Sequence, residues 1–340
     1  MTDLSPPASA LPGTIPSGLV PAMTAYLEHL VLRNRVLTAR SIGQALEQFQ
    51  AWAVGARVDP LLATATQLAA FQSWLVTVYR SPSGKPLAKS TCSTRLAQVQ
   101  AWYRWAHGRG LICIDPSRTI GVHVPRSRVV VREYLTLQEA TALVQTQAGV
   151  VAAAKAGTHT HAEAIRNLAA ICLSLTTGRR IGGMTTLHVA HLDCARRELR
   201  IEREKGITGR VVPVAGWAID VAALYLSEAR PLLTRGHDAP WLFLSAGGDG
   251  PITREALRWM LEQLMIRTVA ENPDLVELPT KRITWHSLRV SFATLLFSNG
   301  CDIRSVNELL LHRQLSTTAR YTPIPIEDLR QVFRVAHPRP

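Results

Sequence analysis

Cysteine is scarce in this 340-residue chain: Cys92, Cys113, Cys172, Cys194 and Cys301 are scattered, odd in number and never in C-x-x-C spacing. That excludes a disulfide scaffold and a zinc ribbon, and it fits a reducing, cytoplasmic setting. No apolar run approaches the ~18 residues of a membrane span, so no membrane-spanning role is expected. The longest candidate, Leu168 to Leu175, reads as buried helix. The start, MTDLSPPASALPG, has neither the basic opening nor the apolar stretch of a secretory signal. G-x-x-x-x-G-K-[ST] and G-x-G-x-x-G are both missing, so nothing suggests a nucleotide cofactor. Acid is in short supply: 25 Asp and Glu face 38 Lys and Arg, a net charge of +13. Such a surplus points to a polyanionic partner, nucleic acid first and an anionic membrane surface second. Hydrophobic residues at 47% and charged residues at 19% exclude global disorder. The length suggests two domains, at about 100–200 residues each.

Residues 1–20, rich in Pro, Ser and Ala, read as a flexible tail. From 21 to about 115 the pattern is helical, ending at Asp115-Pro116. Apolar residues recur at three-to-four spacing in four runs: Met23, Tyr26, Leu27, Leu30 and Val31; Ile42, Ala45, Leu46, Phe49 and Trp52; Leu68, Phe71, Leu75 and Val78; Leu96, Val99, Tyr103 and Ala106. Thr64 and Gln67 form a capping-box pattern before the third run. Residues 21–110 hold ten basic and three acidic side chains, so over half the net charge sits in about a quarter of the length. The bland reading is a solvated basic surface. Residues 116–132 read as a basic linker, with Arg118, Arg126, Arg128 and Arg132 and no acid after Asp115. Arg126 and Arg128 are the candidate phosphate contacts there. From 133 to 340 the pattern is mixed. Thr136 and Glu139 form a second capping box, residues 198–203 and 210–214 alternate as a β-hairpin, and helices are expected at 216–229, 253–270, 287–299 and 303–310. The expected fold class is α+β, mostly α-helical: a helical N-terminal domain and a mixed helical domain with a small antiparallel sheet.

Five pieces of the second region carry candidate chemistry. TTGRRIGG, 176–183, sets Arg180 just past a glycine turn at a helix start. Lys205 stands at the hairpin tip, His286 and Arg289 lie three apart in HSLR, His312 ends the helix ELLLH, and Tyr321 follows nine residues later in STTARYT. Taken singly, each has an ordinary reading: a solvated hairpin lysine, a surface His/Arg pair on one helical face, a packing tyrosine. Their order and spacing lift them together.

TGRRI, EKG, HSLR, LLH and STTARYT, in that order, strongly resemble the catalytic domain of the tyrosine recombinase (phage integrase) family. Residues 21–132 resemble its helical core-binding domain and linker, and the ending IEDLRQVFRVAHPRP is close to the Xer-type members. The resemblance implies a site-specific DNA recombinase, with 133–340 as the catalytic domain and a C-terminal exchange helix at about 326–335. Tyr321 is then the nucleophile, Arg180 and Arg289 phosphate clamps, and Lys205 the proton donor to the leaving oxygen. His286 is then the base assisting Tyr321, and His312 a hydrogen-bond partner of the phosphate. Guanidinium groups fork onto phosphate oxygens better than lysine does and supply charge that a metal would otherwise bring. No cofactor is implied.

The chain departs from the family pattern at Gly183, where an acidic residue is usual, at Val290, where His is usual, and at Leu311, where Gly is usual; Arg179 replaces a common apolar residue. These read as drift at supporting positions that bears on rate and on the orientation of Arg180. Two alternatives stand beside the recombinase: a DNA-binding regulator that kept the fold, and a type IB topoisomerase-like nicking and closing enzyme. The residues before 21 hold one acid and no base, which favours a simple Xer-like or transposon-encoded enzyme. Its expected partner is double-stranded DNA with inverted half-sites, bound by a dimer per site and a tetramer in synapsis.

Overall fold

The computed structural model describes residues 18–33, 35–118, 133–201, 209–310, 330–331, 333–335 and 337. The chain divides into two compact units, 1–130 and 131–340. The first is built of α1 (Pro21–Leu32), α2 (Val36–Gly55), α3 (Ala65–Thr77) and α4 (Lys89–Gly108). Its core is aromatic: the Phe49 ring lies 5.0 Å from Phe71, 5.8 Å from Tyr103 and 6.2 Å from Trp102. Burial pushes the Tyr103 phenol strongly upward, and its hydroxyl donates to the Pro60 carbonyl at 2.8 Å. Thr64 caps α3 as expected, accepting from the Gln67 amide while Gln67 accepts from Thr64 N–H at 2.8 Å. Val78 departs from the sequence reading: it lies at the C-cap of α3, beyond the last buried turn at Leu75, and is 62% exposed. Trp102, fully buried, completes the core.

The second unit opens with α5 (Leu137–Ala153), whose Thr136–Glu139 capping box is formed, and α6 (His159–Thr177). Nearly every residue of α6 from Ala162 to Thr177 is buried, so it is the central helix, packed by α5 and later by α8 and α11. There follow α7 (Ile181–Met184), β1 (Leu192–Asp193), β2 (Glu198–Ile201) and β3 (Arg210–Pro213). The sheet is antiparallel in the order β1-β2-β3, with Leu199 opposite Val212 and Ile201 opposite Arg210. Leu199, Ile201 and Val212 face the core. α8 (Gly216–Leu224) runs through a π-helical turn at Tyr225–Ala229 into α9 (Arg230–Thr234), longer than the expected 216–229. α10 (Arg254–Glu271), α11 (Trp285–Ser298) and α12 (Ile303–Leu309) complete the series. α11 begins two residues before the expected 287 because Thr284 and Ser287 form its capping box. The architecture is α+β, mostly helical, with a small antiparallel sheet.

Residues 330–331 and 333–335 are helical. Phe333 is buried with Phe292, Leu296, Val306, Leu309 and Leu310 of its own unit, and its ring stacks on His337 at 4.7 Å. No helix among the described residues is long and apolar enough to cross a membrane.

Candidate active site

α6 ends at Gly178, which adopts a left-handed backbone at φ 59°. A side chain there would also collide, since its Cβ would lie 2.6 Å from Phe292 and 2.7 Å from Leu310. Conformation and space therefore both demand glycine at this turn. The chain then extends through Arg179, buried, to Arg180, exposed at the N-cap of α7. The turn thus aims Arg180 at solvent and Arg179 inward.

α11 supplies the other two described candidates. His286 lies exposed in its first turn, and Arg289 is buried at 4% exposure. The Arg289 guanidinium donates from Nη1 to the Gly178 carbonyl at 2.6 Å and from Nη2 to the Leu310 carbonyl. One fork thereby joins the turn that leads to Arg180 and the end of α12 that leads to His312. Gly178 and Arg180 are two residues apart, at most about 7 Å along an extended chain. His286 also lines an open groove of about 680 Å³ with Ile181, Thr284 and Trp285, so the start of α7 and the start of α11 share one surface.

The approach to α11 is pinned by residues that sequence reasoning did not single out for the site. Lys281 Nζ binds both carboxylate oxygens of Glu139, at 2.7 and 2.8 Å, with Glu139 buried. Arg282 N–H donates to the Glu133 carboxylate, and Leu135 N–H donates to Ser291 Oγ at 2.8 Å. The capping box marked Glu139 as a helix residue but carried no sign of its lysine partner 142 residues away. At the start of α12, the Ser305 hydroxyl and the amides of Arg304 and Ser305 hold the Asp302 carboxyl below its usual range.

Lys205, His312 and Tyr321 lie outside the described residues, as do Leu311, Arg126 and Arg128. Their flanks are described. Lys205 belongs to the connection between β2 and β3. Arg210, at the start of β3, pairs with Glu308 of α12, ahead of His312. Arg330, past Tyr321, pairs with Glu198 of β2. The hairpin is therefore tied to both ends of the segment that carries His312 and Tyr321.

In the first unit, ten basic side chains stand between residues 21 and 110. The one ion pair among its described residues joins Arg118 to Asp115 at 3.6 Å. Among the described residues, ion pairs therefore leave this surplus unneutralised.

A family model described as the phage integrase family matches residues 134–325. Tyrosine recombinase XerC of Mycobacterium leprae (strain TN) is 33% identical over 287 residues, 84% of this chain and 86% of that protein. Tyrosine recombinase XerD of Mycobacterium tuberculosis (strain ATCC 25618 / H37Rv) is 32% identical over 254 residues, 74% of this chain and 76% of that protein. Among solved structures, the XerH site-specific recombinase bound to its difH substrate in a pre-cleavage complex matches with a TM-score of 0.60 at 16% identity, covering 95% of this chain and 89% of that one. The integrase of the Tn1549 transposon, in complex with circular intermediate DNA, matches with a TM-score of 0.59 at 16% identity, covering 86% and 92%. At these identities the structural likeness concerns the fold. The chain belongs to the phage integrase family. It is a Xer-like tyrosine recombinase, an enzyme of site-specific DNA breakage and rejoining.

Proposed function

We propose that this recombinase acts in the cytoplasm on duplex DNA at inverted half-sites, through Arg180, Lys205, His286, Arg289, His312 and Tyr321. The Tyr321 phenol oxygen attacks the scissile phosphorus as His286 takes its proton. The bond from phosphorus to the 5′ oxygen breaks, Lys205 protonates the departing oxygen, and a 3′-phosphotyrosyl bond forms. A 5′ hydroxyl from the partner strand then attacks the same phosphorus and returns the phenol. The number of phosphodiester bonds is conserved, so no external energy source is required. Arg180 and Arg289 neutralise the nonbridging oxygens, with His312 as a third donor.

The observation that carries this reading is the Arg289 fork on the Gly178 and Leu310 carbonyls. It joins the turn leading to Arg180 and the end of α12 leading to His312 on one guanidinium whose orientation is fixed by backbone. Residues 21–115 and the linker, with Arg126 and Arg128, are proposed to hold phosphates of the same duplex. The excess of ten basic over three acidic side chains in residues 21–110, without ion pairs among those described, supports this.

We further propose a dimer on each site and a tetramer in synapsis, joined by the helix at about 326–335. In the single chain, Phe333 covers an apolar face of its own unit. In the assembly the same face would cover the equivalent groove of a neighbour, an exchange of identical elements. The DNA-binding regulator and the topoisomerase-like enzyme are not favoured by the recombinase relatives.

The nucleophile is tested by Tyr321→Phe, which removes only the attacking oxygen. Covalent adduct on a nicked suicide substrate should vanish while DNA binding stays intact. Persistent adduct would remove Tyr321 from the role.

A further inference from the structure

α7 is a single turn of four residues, too short to hold its shape unaided, yet its N-cap is Arg180. Its hydrogen bonds run from the Gly183 and Met184 amides to the Arg180 carbonyl, at 2.8 and 3.0 Å. The neighbouring Arg179 side chain is 7% exposed and folds back over this turn, with Nη2 3.4 Å from the Gly183 carbonyl. Its guanidinium fills the space above Gly183: a Cβ built there would lie 2.6 Å from Nη2, 2.8 Å from Cζ and 3.1 Å from Nε. Gly183 has no left-handed backbone, so its glycine is needed for room and not for conformation. At Gly182 the picture differs. A Cβ would meet Arg254 at 2.8 Å, but that side chain is exposed and can swing away. Arg179 is enclosed and has no such freedom.

We infer that Arg179 is a positioning residue for Arg180, and that Arg179 and Gly183 form one interdependent device in which the guanidinium replaces a side chain at 183 as the brace of α7. The inference rests on Arg180 as a phosphate clamp. Two departures from the family pattern thereby become a single feature.

The test measures half-site binding and single-turnover cleavage for Arg179→Leu, Gly183→Ala, the double variant and Arg180→Ala. Each is assayed on an ordinary scissile phosphate and on a methylphosphonate, which lacks the nonbridging negative charge. Arg179→Leu and Gly183→Ala should each cleave the ordinary phosphate about 10²-fold slower, the scale of a displaced catalytic group, with binding unchanged. The loss should shrink on the methylphosphonate, where the clamp has less charge to hold. The double variant should be no slower than the worse single, because the new methyl group enters vacated space. Equal losses on both substrates, binding that falls with cleavage, or additive losses in the double variant would each make Arg179 mere packing and overturn the inference. Arg180→Ala equally slow on both substrates would overturn the clamp reading itself. Relief of Arg180→Ala without relief of Arg179→Leu would overturn the inference alone.

Discussion

In the proposed mechanism Lys205 and Arg180 bring positive charge to the same reaction for different reasons, and chemistry can separate them. A general acid matters only while the leaving group needs a proton, so Lys205→Ala should cleave an ordinary phosphodiester roughly 10²–10⁴-fold slower. A substrate with sulfur at the 5′ bridging position has a leaving group stable as an anion and should largely restore the rate. Arg180→Ala should stay slow on that substrate, because nonbridging charge is still unneutralised. Equal rescue of both variants would show the roles to be misassigned. At this scale the sequence was informative where side chains alone define the motif: Arg180, His286 and Arg289 are recognisable from TGRRI and HSLR. It was silent on their supports. The Glu139–Lys281 pair spans 142 residues, and the crowding of Gly183 by Arg179 depends on how a one-turn helix folds back. Neither leaves a periodic or compositional trace.

Among the elements, helices with a strong cap and an amphipathic face were legible, as Thr64 with Gln67 and Thr136 with Glu139 illustrate. α11 was misplaced by one half-turn because its capping partner at Ser287 is a hydroxyl, a weaker signal than Glu or Gln. The π-helical turn at Tyr225–Ala229 left no mark, since its residues fit an ordinary helix equally well. The linker is the element whose role is read from charge alone, and salt dependence tests it. DNA binding should weaken by about 0.9 log unit per log unit of salt for each phosphate contacted. Neutralising Arg126 and Arg128 together should lower that slope by up to about two and weaken specific and random DNA alike. An unchanged slope would place the linker away from the backbone.

For the whole molecule, the proposed ring of four depends on where the last helix settles. Phe333 and its neighbours bury an apolar face in the single chain, and Arg330 ties the same segment to Glu198. Transfer to a neighbour would relocate both contacts and pull on the segment holding Tyr321. Deleting residues 326–340 should therefore spare binding of one protomer to one half-site. It should reduce cooperative filling of the second half-site and abolish strand exchange between two sites. Recombination at the normal rate by the truncated protein would show that the helix stays on its own domain. The Arg289 fork has a different consequence. Both of its described acceptors are main-chain oxygens, at Gly178 and Leu310, so alanine scanning around them leaves the acceptors in place and reports nothing of the tie. A change to the polymer itself reaches it without touching Arg289. Replacing the amide between residues 178 and 179 by an ester makes the Gly178 carbonyl a poorer acceptor while every side chain stays as it was. That single-atom exchange should slow cleavage measurably, against a bond to a charged donor worth about 1.5–3 kcal/mol. An unchanged rate in the ester-containing protein would show that the tie does not orient Arg289 for reaction.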